Sequence, residues 1–113
     1  MHLSHEAYIE QQQAEAVHVA ELLLVGNTDF LVAVRHLSGL RHEIGTSSSD
    51  EDFNIFLVID SQTDHLPAGE TKLPCSPEWL KKSALAVKDI EFFYHSELVA
   101  ACNKLIKRFS HSA

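Results

Sequence analysis

Positive charge is scarce in the first part of this chain. Among residues 1–70 only Arg35 and Arg41 are basic, against twelve carboxylates, for a net charge of −10. Residues 71–113 carry seven bases and four acids, or +3, and the whole chain stands at −7. A protein that neutralises a phosphate backbone needs the opposite balance, so nucleic acid is excluded as the expected partner. Cysteine is equally sparse: Cys75 and Cys102 are too few for a disulfide framework and lack zinc-finger spacing. Apolar runs such as 55–59 stop at five residues, far from the ~20 of a membrane span. The opening residues Met1-His2-Leu3-Ser4-His5-Glu6 show neither the basic nor the apolar region of a signal peptide. A single cytoplasmic domain over 1–113, with no membrane partner, is the expectation.

Apolar residues make up 45% of the chain and charged ones 22%, a globular composition. Their periodicity is helical. Over 4–25, Ile9, Ala16, Ala20, Leu23 and Leu24 share one face at 100° per residue, with Ser4 as N-cap and Gly26 as stop. Over 29–44 the stripe is Phe30, Ala33, Val34, Leu37, Leu40 and Ile44, capped by Asn27 or Thr28 and closed by Gly45. A polar link, 46–52, leads to a short apolar element, 53–59, which Ser49 or Asp50 can cap. That element fits a helix or a strand, and helix is favoured because no second strand signal exists to pair with it.

Residues 60–77 hold all three prolines and Gly69, and read as a long loop. Ser76-Pro77-Glu78 starts a last helix running to about 109, with a bend near Ser83. Its stripe is Val87, Ile90, Tyr94, Leu98, Ala101, Cys102, Leu105 and Phe109. Phe93 is the aromatic residue expected to point outward, and Trp79 is expected to anchor the loop's return. The fold class is all-α: a small bundle of three long helices and one short one, with a long proline-containing loop.

Chemistry is thin. Eight histidines invite a metal reading, through His36/His42/Glu43 or Asp60/Asp64/His65. The Glu-x-x-His pair that builds helical carboxylate centres occurs once, Glu15 to His18, on the expected wet face. No metal and no cofactor is therefore expected. Cys102 falls in the core arc and Cys75 lacks a neighbouring base. No Gly-x-Ser-x-Gly, P-loop or Gly-x-Gly-x-x-Gly string is present, so the expectation is a protein that is not an enzyme. Arg41 lies mid-stripe in the second helix, where a guanidinium needs a partner. Asp60 and Asp64 are the natural ones, which makes Arg41–Asp60 the expected buried pair holding the loop.

The string Ile59-Asp60-Ser61-Gln62-Thr63-Asp64-His65-Leu66-Pro67-Ala68-Gly69, with Leu40-Arg41-His42-Glu43 upstream and Trp79 downstream, resembles a family of small bacterial proteins of uncharacterised activity. The likeness covers roughly residues 8–109 and implies a stand-alone helical domain without assigning catalytic residues. Pro74-Cys75-Ser76-Pro77 departs from the family's more basic stretch before the tryptophan. By type, the chain is also similar to bacterial toxin-immunity proteins, acidic inhibitors of basic toxin or nuclease domains. On that reading Glu10, Glu15, Glu21, Asp50, Glu51, Asp52, Asp64 and His65 form the partner-binding set. The alternative is a small ligand-binding or regulatory protein with its site at the Arg41/Asp60/Asp64 loop.

Overall fold

A computed structural model describes residues 4–44 and 51–110. Helix α1, His5–Val25, starts where the Ser4 side chain accepts from Ala7 N at 3.1 Å. It ends at Gly26, whose φ of +72° turns the chain so that Gly26 N and Asn27 N donate to the carbonyls of Leu23 and Leu22. Helix α2, Phe30–Glu43, is capped not by Asn27 or Thr28 but by Asp29, whose Oδ1 accepts from Val32 N at 3.1 Å. The expected stop, Gly45, and the expected caps Ser49 and Asp50 lie outside the described residues.

A 3₁₀ turn, Glu51–Phe53, feeds α3, Asn54–Thr63. The helical reading of 53–59 holds, and the helix runs four residues further than expected. Asp60 therefore sits in a helix, and the loop begins at Asp64. It contains one 3₁₀ turn, Gly69–Lys72. Helix α4, Pro77–Phe93, opens as the Ser-Pro-Glu pattern requires, with Ser76 Oγ accepting from Trp79 N at 3.1 Å. The expected single last helix is two: the break falls at Tyr94 (φ −98°, ψ 8°), not near Ser83, and α5 runs His95–Phe109. The run Phe92-Phe93-Tyr94-His95 supplies four residues of modest helix propensity at that point. Five helices, and no strand among the described residues, replace the expected four.

A four-residue connection sets α1 and α2 as a hairpin, α3 packs antiparallel on α2, and α5 returns along α1, its first turns beside Leu23 and Val25. The main core gathers Ala16 and Ala20 of α1, Val34 and Leu37 of α2, Phe56 and Ile59 of α3, and Cys102 and Leu105 of α5. Phe53 joins them from the 3₁₀ turn, its ring 6.5 Å from that of Phe109. Each fully buried Leu, Ile or Phe contributes on the order of 1.5–3 kcal/mol. Leu31, Leu66 and Ala68 form a second, smaller cluster against Phe30, Ala86 and Val87.

Helix α4 stands off from this body. Ser83 is its one buried residue, and the radius of gyration, 15.0 Å, exceeds the roughly 13 Å of a compact chain of this length. Its far end exposes two aromatic residues where one was expected: Phe92 is 86% exposed and Phe93 74%. The Phe93 ring meets Tyr94 edge-on at 4.8 Å. Trp79, at the start of α4, is 39% exposed. Among the described residues no helix is long and apolar enough to cross a membrane.

Candidate functional site

The surface carries two candidate sites: the acidic face of α1, and the corner where the 64–76 loop meets α2 and α4.

Helix α1 carries Glu6, Glu10, Glu15 and Glu21 and no lysine or arginine. At 100° per residue Glu6, Glu10 and Glu21 fall within about 60° of one another, and all three are exposed. Glu15 turns towards α2, where its Oε1 lies 3.9 Å from His36 Nε2. The Tyr8 hydroxyl donates to Glu43 Oε2, tying α1 to the end of α2. That bond holds the phenol proton, and together with burial and the Glu43 charge it pushes the Tyr8 pKa up.

The remaining acidic residues of the expected set do not join this stripe. Glu51 is exposed, but Asp52 is occupied by Arg108, with Nη1 3.0 Å from Oδ2. Asp64 and His65, 3.7 Å apart, lie past the far end of α3, about 15 Å of helix away from Glu51 and Asp52. Asp50 lies outside the described residues. Among the described residues no three of His, Cys, Asp and Glu gather closely enough to hold a metal ion.

The expected Arg41–Asp60 pair is not formed; Asp60 belongs to Arg35. Arg35 Nε lies 3.7 Å from Asp60 Oδ1, and its Nη2 donates to the carbonyls of Thr63 at 2.7 Å and Leu66 at 2.9 Å. The Thr63 carbonyl ends α3 and also accepts from Leu66 N at 2.9 Å, and the Leu66 carbonyl belongs to the loop, so Arg35 ties the last turn of α3 to the loop that follows. Arg41 is half-buried, and its Nη2 lies 3.0 Å from His42 Nε2. The physical reason is axial. The antiparallel α2–α3 hairpin sets Arg41, in the last turn of α2, beside the start of α3, and six residues, about 9 Å, separate it from the turn that faces Asp60. Arg41, Asp60 and Asp64 therefore do not converge on one site.

The loop that Arg35 receives is packed like core. Leu66, Pro67 and Ala68 are buried. Gly69 follows at φ +55°, and a Cβ there would meet Val32 Cγ2 at 3.1 Å. Thr71 Oγ1 accepts from Ala68 N at 2.8 Å and donates to Ala68 O at 2.7 Å, closing the turn. This places Lys72 Nζ 2.8 Å from Asp29 Oδ2. Burial alone would raise the Asp29 pKa. The Lys72 hydrogen bond, the N–H groups of Val32 and Gly69 and the Lys72 charge outweigh it and hold the carboxyl below its usual range.

Between this corner and α4 lies a cleft of about 490 Å³. Phe30, Leu31, Pro67, Leu80, Ala84 and Val87 supply its apolar walls. Ser83 lies on the α4 wall, 4% exposed, and its Oγ has no hydrogen-bond partner among the described residues. Asp29, Lys72, Ser83 and Arg35 are residues to which the sequence assigned no place in a site. Of these, Asp29 alone carried a signal, as a good capping residue directly before an apolar stripe.

No family model matches this chain, and neither does any curated protein or solved structure.

Proposed function

We propose that this is a non-catalytic binding protein that takes a basic protein partner on the exposed face of α1, in the manner of an immunity-type inhibitor of a toxin or nuclease domain. One observation carries the reading: Glu6, Glu10 and Glu21 share an exposed face on a helix that has no lysine or arginine to offset them. Such a face steers a basic protein to it and stands in for the phosphates a nuclease binds, while it repels nucleic acid itself. Glu51 is a further contact at the α3 end of the molecule, and Asp52 contributes only by giving up Arg108.

The test is direct. A basic toxin domain encoded beside this gene is mixed with the protein, and binding is followed by calorimetry and inhibition by residual toxin activity. Stoichiometric inhibition supports the reading, and so does a loss of at least about tenfold in affinity for the Glu10→Lys/Glu21→Lys variant. Absence of binding to such a domain retires it.

A further inference from the structure

We propose that the cleft between α4 and the α2–loop corner binds a small amphipathic carboxylate, with its apolar body against Phe30, Leu31 and Val87 and its acid group held by Lys88. This site is separate from the α1 face and stands whether or not that face binds a protein.

Size and lining come first. Small-molecule sites are concave, mostly apolar, and on the order of 300–1,000 Å³, with a few polar groups that fix orientation. A cleft of about 490 Å³ walled by one aromatic and several aliphatic side chains meets that description. It lies where three separate stretches of chain meet: the start of α2, the 66–72 segment and the middle of α4.

Charge then selects the ligand. In a chain of net −7, the lining carries two ammonium groups and one carboxylate. The carboxylate is already committed: Asp29 accepts from Lys72, from Val32 N and from Gly69 N. Lys72 is thereby balanced. Lys88 is not, since no described carboxylate forms an ion pair with it within 4.0 Å. The surplus charge in the cleft is positive, and the matching ligand is an anion.

Ser83 is the independent observation. Buried hydroxyls are nearly always hydrogen-bonded, and this one, on the cleft wall, has no partner among the described residues. It offers a donor for a ligand oxygen. Ser83 and Lys88 both line the cleft and lie about 140° apart around α4, on either side of the apolar strip formed by Leu80, Ala84 and Val87. A carboxylate held at the Lys88 side lets the apolar chain cross this strip towards Phe30 and Pro67, with the Ser83 hydroxyl as the polar group on the opposite side.

Three eight-carbon probes separate the contributions: octanoate, 1-octanol and octylammonium, each titrated to a few millimolar into ¹⁵N-labelled protein. Octanoate is expected to shift the amides of Leu31, Ser83 and Val87 saturably, to bind more tightly than 1-octanol, and to bind far more tightly than octylammonium. Lys88→Glu is expected to weaken octanoate by about fivefold or more and to leave 1-octanol within about twofold. Val87→Trp, which fills the cleft, is expected to abolish octanoate binding with an unchanged circular dichroism spectrum; if that variant does not fold, Ala84→Leu takes its place. The proposal is overturned if octanoate shifts map away from the cleft, if octylammonium binds as well as octanoate, or if the filled variant binds octanoate normally.

Discussion

Arg35 Nη2 lies 2.7 Å from the carbonyl oxygen of Thr63 and 2.9 Å from that of Leu66, so one guanidinium closes α3 and fixes the first turn of the loop. Hydrogen bonds from a charged donor contribute about 1.5–3 kcal/mol each when well buried, and less where solvent screens them, as at this half-buried side chain. Arg35→Ala is expected to cost about 2 kcal/mol and to lower Tm by roughly 6–10 °C in a calorimetric scan. Arg35→Lys should recover only part of the loss, because an ammonium lacks the planar fork that spans two carbonyls. An unchanged Tm in Arg35→Ala would mean that the loop docks through Leu66 and Ala68 alone.

How far the sequence revealed this architecture depends on which dimension is asked about. The stripe over 29–44 is legible because rotation about a helix axis is fixed at 100° per residue; Ala33, Val34, Leu37, Leu40 and Ile44 are all buried as read. The same rotation places Arg41 on that stripe, where it is half-buried, yet it carries no information on which turn of α2 faces the end of α3. Packing of the antiparallel hairpin decides that, and it selects Arg35. The break at Tyr94 was hidden for a related reason. Its ψ of 8° interrupts the helix for one residue and leaves the stripe from Ile90 to Leu98 in phase, so periodicity runs through it. The cleft was invisible because Asp29, Lys72 and Ser83 are brought together only by the fold.

Ser83 makes the loop corner less stable than it need be. An unsatisfied buried hydroxyl costs about 1–3 kcal/mol, and alanine is also the better helix former. Ser83→Ala is expected to stabilise the ligand-free protein by about 1 kcal/mol, raising Tm by a few degrees. A destabilised alanine variant would show that the hydroxyl is hydrogen-bonded in solution.

The Asp29–Lys72 contact makes stability depend on acid. The folded-state pKa of Asp29 lies below its unfolded value, so folding favours the ionised form. Its contribution is therefore complete above the unfolded pKa of about 3.9 and is lost as pH falls through the lower folded value. Lys72→Met removes one cause of the depression. The fall in Tm between pH 5 and 3 should be shallower in Lys72→Met than in the parent, and the two proteins should differ most near neutral pH. Parallel Tm-against-pH curves would exclude the contact as a source of acid sensitivity.

The two cysteines should react very differently. Cys102 is fully buried among core side chains, and burial pushes its thiol up to about 11. Cys75 is half-buried in the loop, its Sγ 3.3 Å from the Thr71 carbonyl. At pH 8 an aromatic disulfide reagent is expected to modify one thiol per native chain rapidly and the second only in denaturant. Rapid modification of both in buffer would show that the α1–α5 core opens on the timescale of the assay.

The acidic face of α1 makes a kinetic prediction that contact burial alone does not. Charges act over the Debye length, about 30 Å at 0.01 M salt and 10 Å at 0.1 M, so a partner drawn by Glu6, Glu10 and Glu21 should associate faster as salt is lowered. Dissociation, governed by contacts already made, should change much less. Glu10→Lys with Glu21→Lys moves the face by +4 and should flatten the salt dependence of the association rate, with folding unaffected because both side chains are exposed. Asp52→Lys is a poorer probe of the same idea, since it also breaks the contact with Arg108. Stopped-flow association with a basic partner at 0.02 and 0.2 M salt distinguishes the cases. If the parent's rate is independent of salt, or if the double reversal keeps the parent's slope, the α1 face is not where the partner is steered.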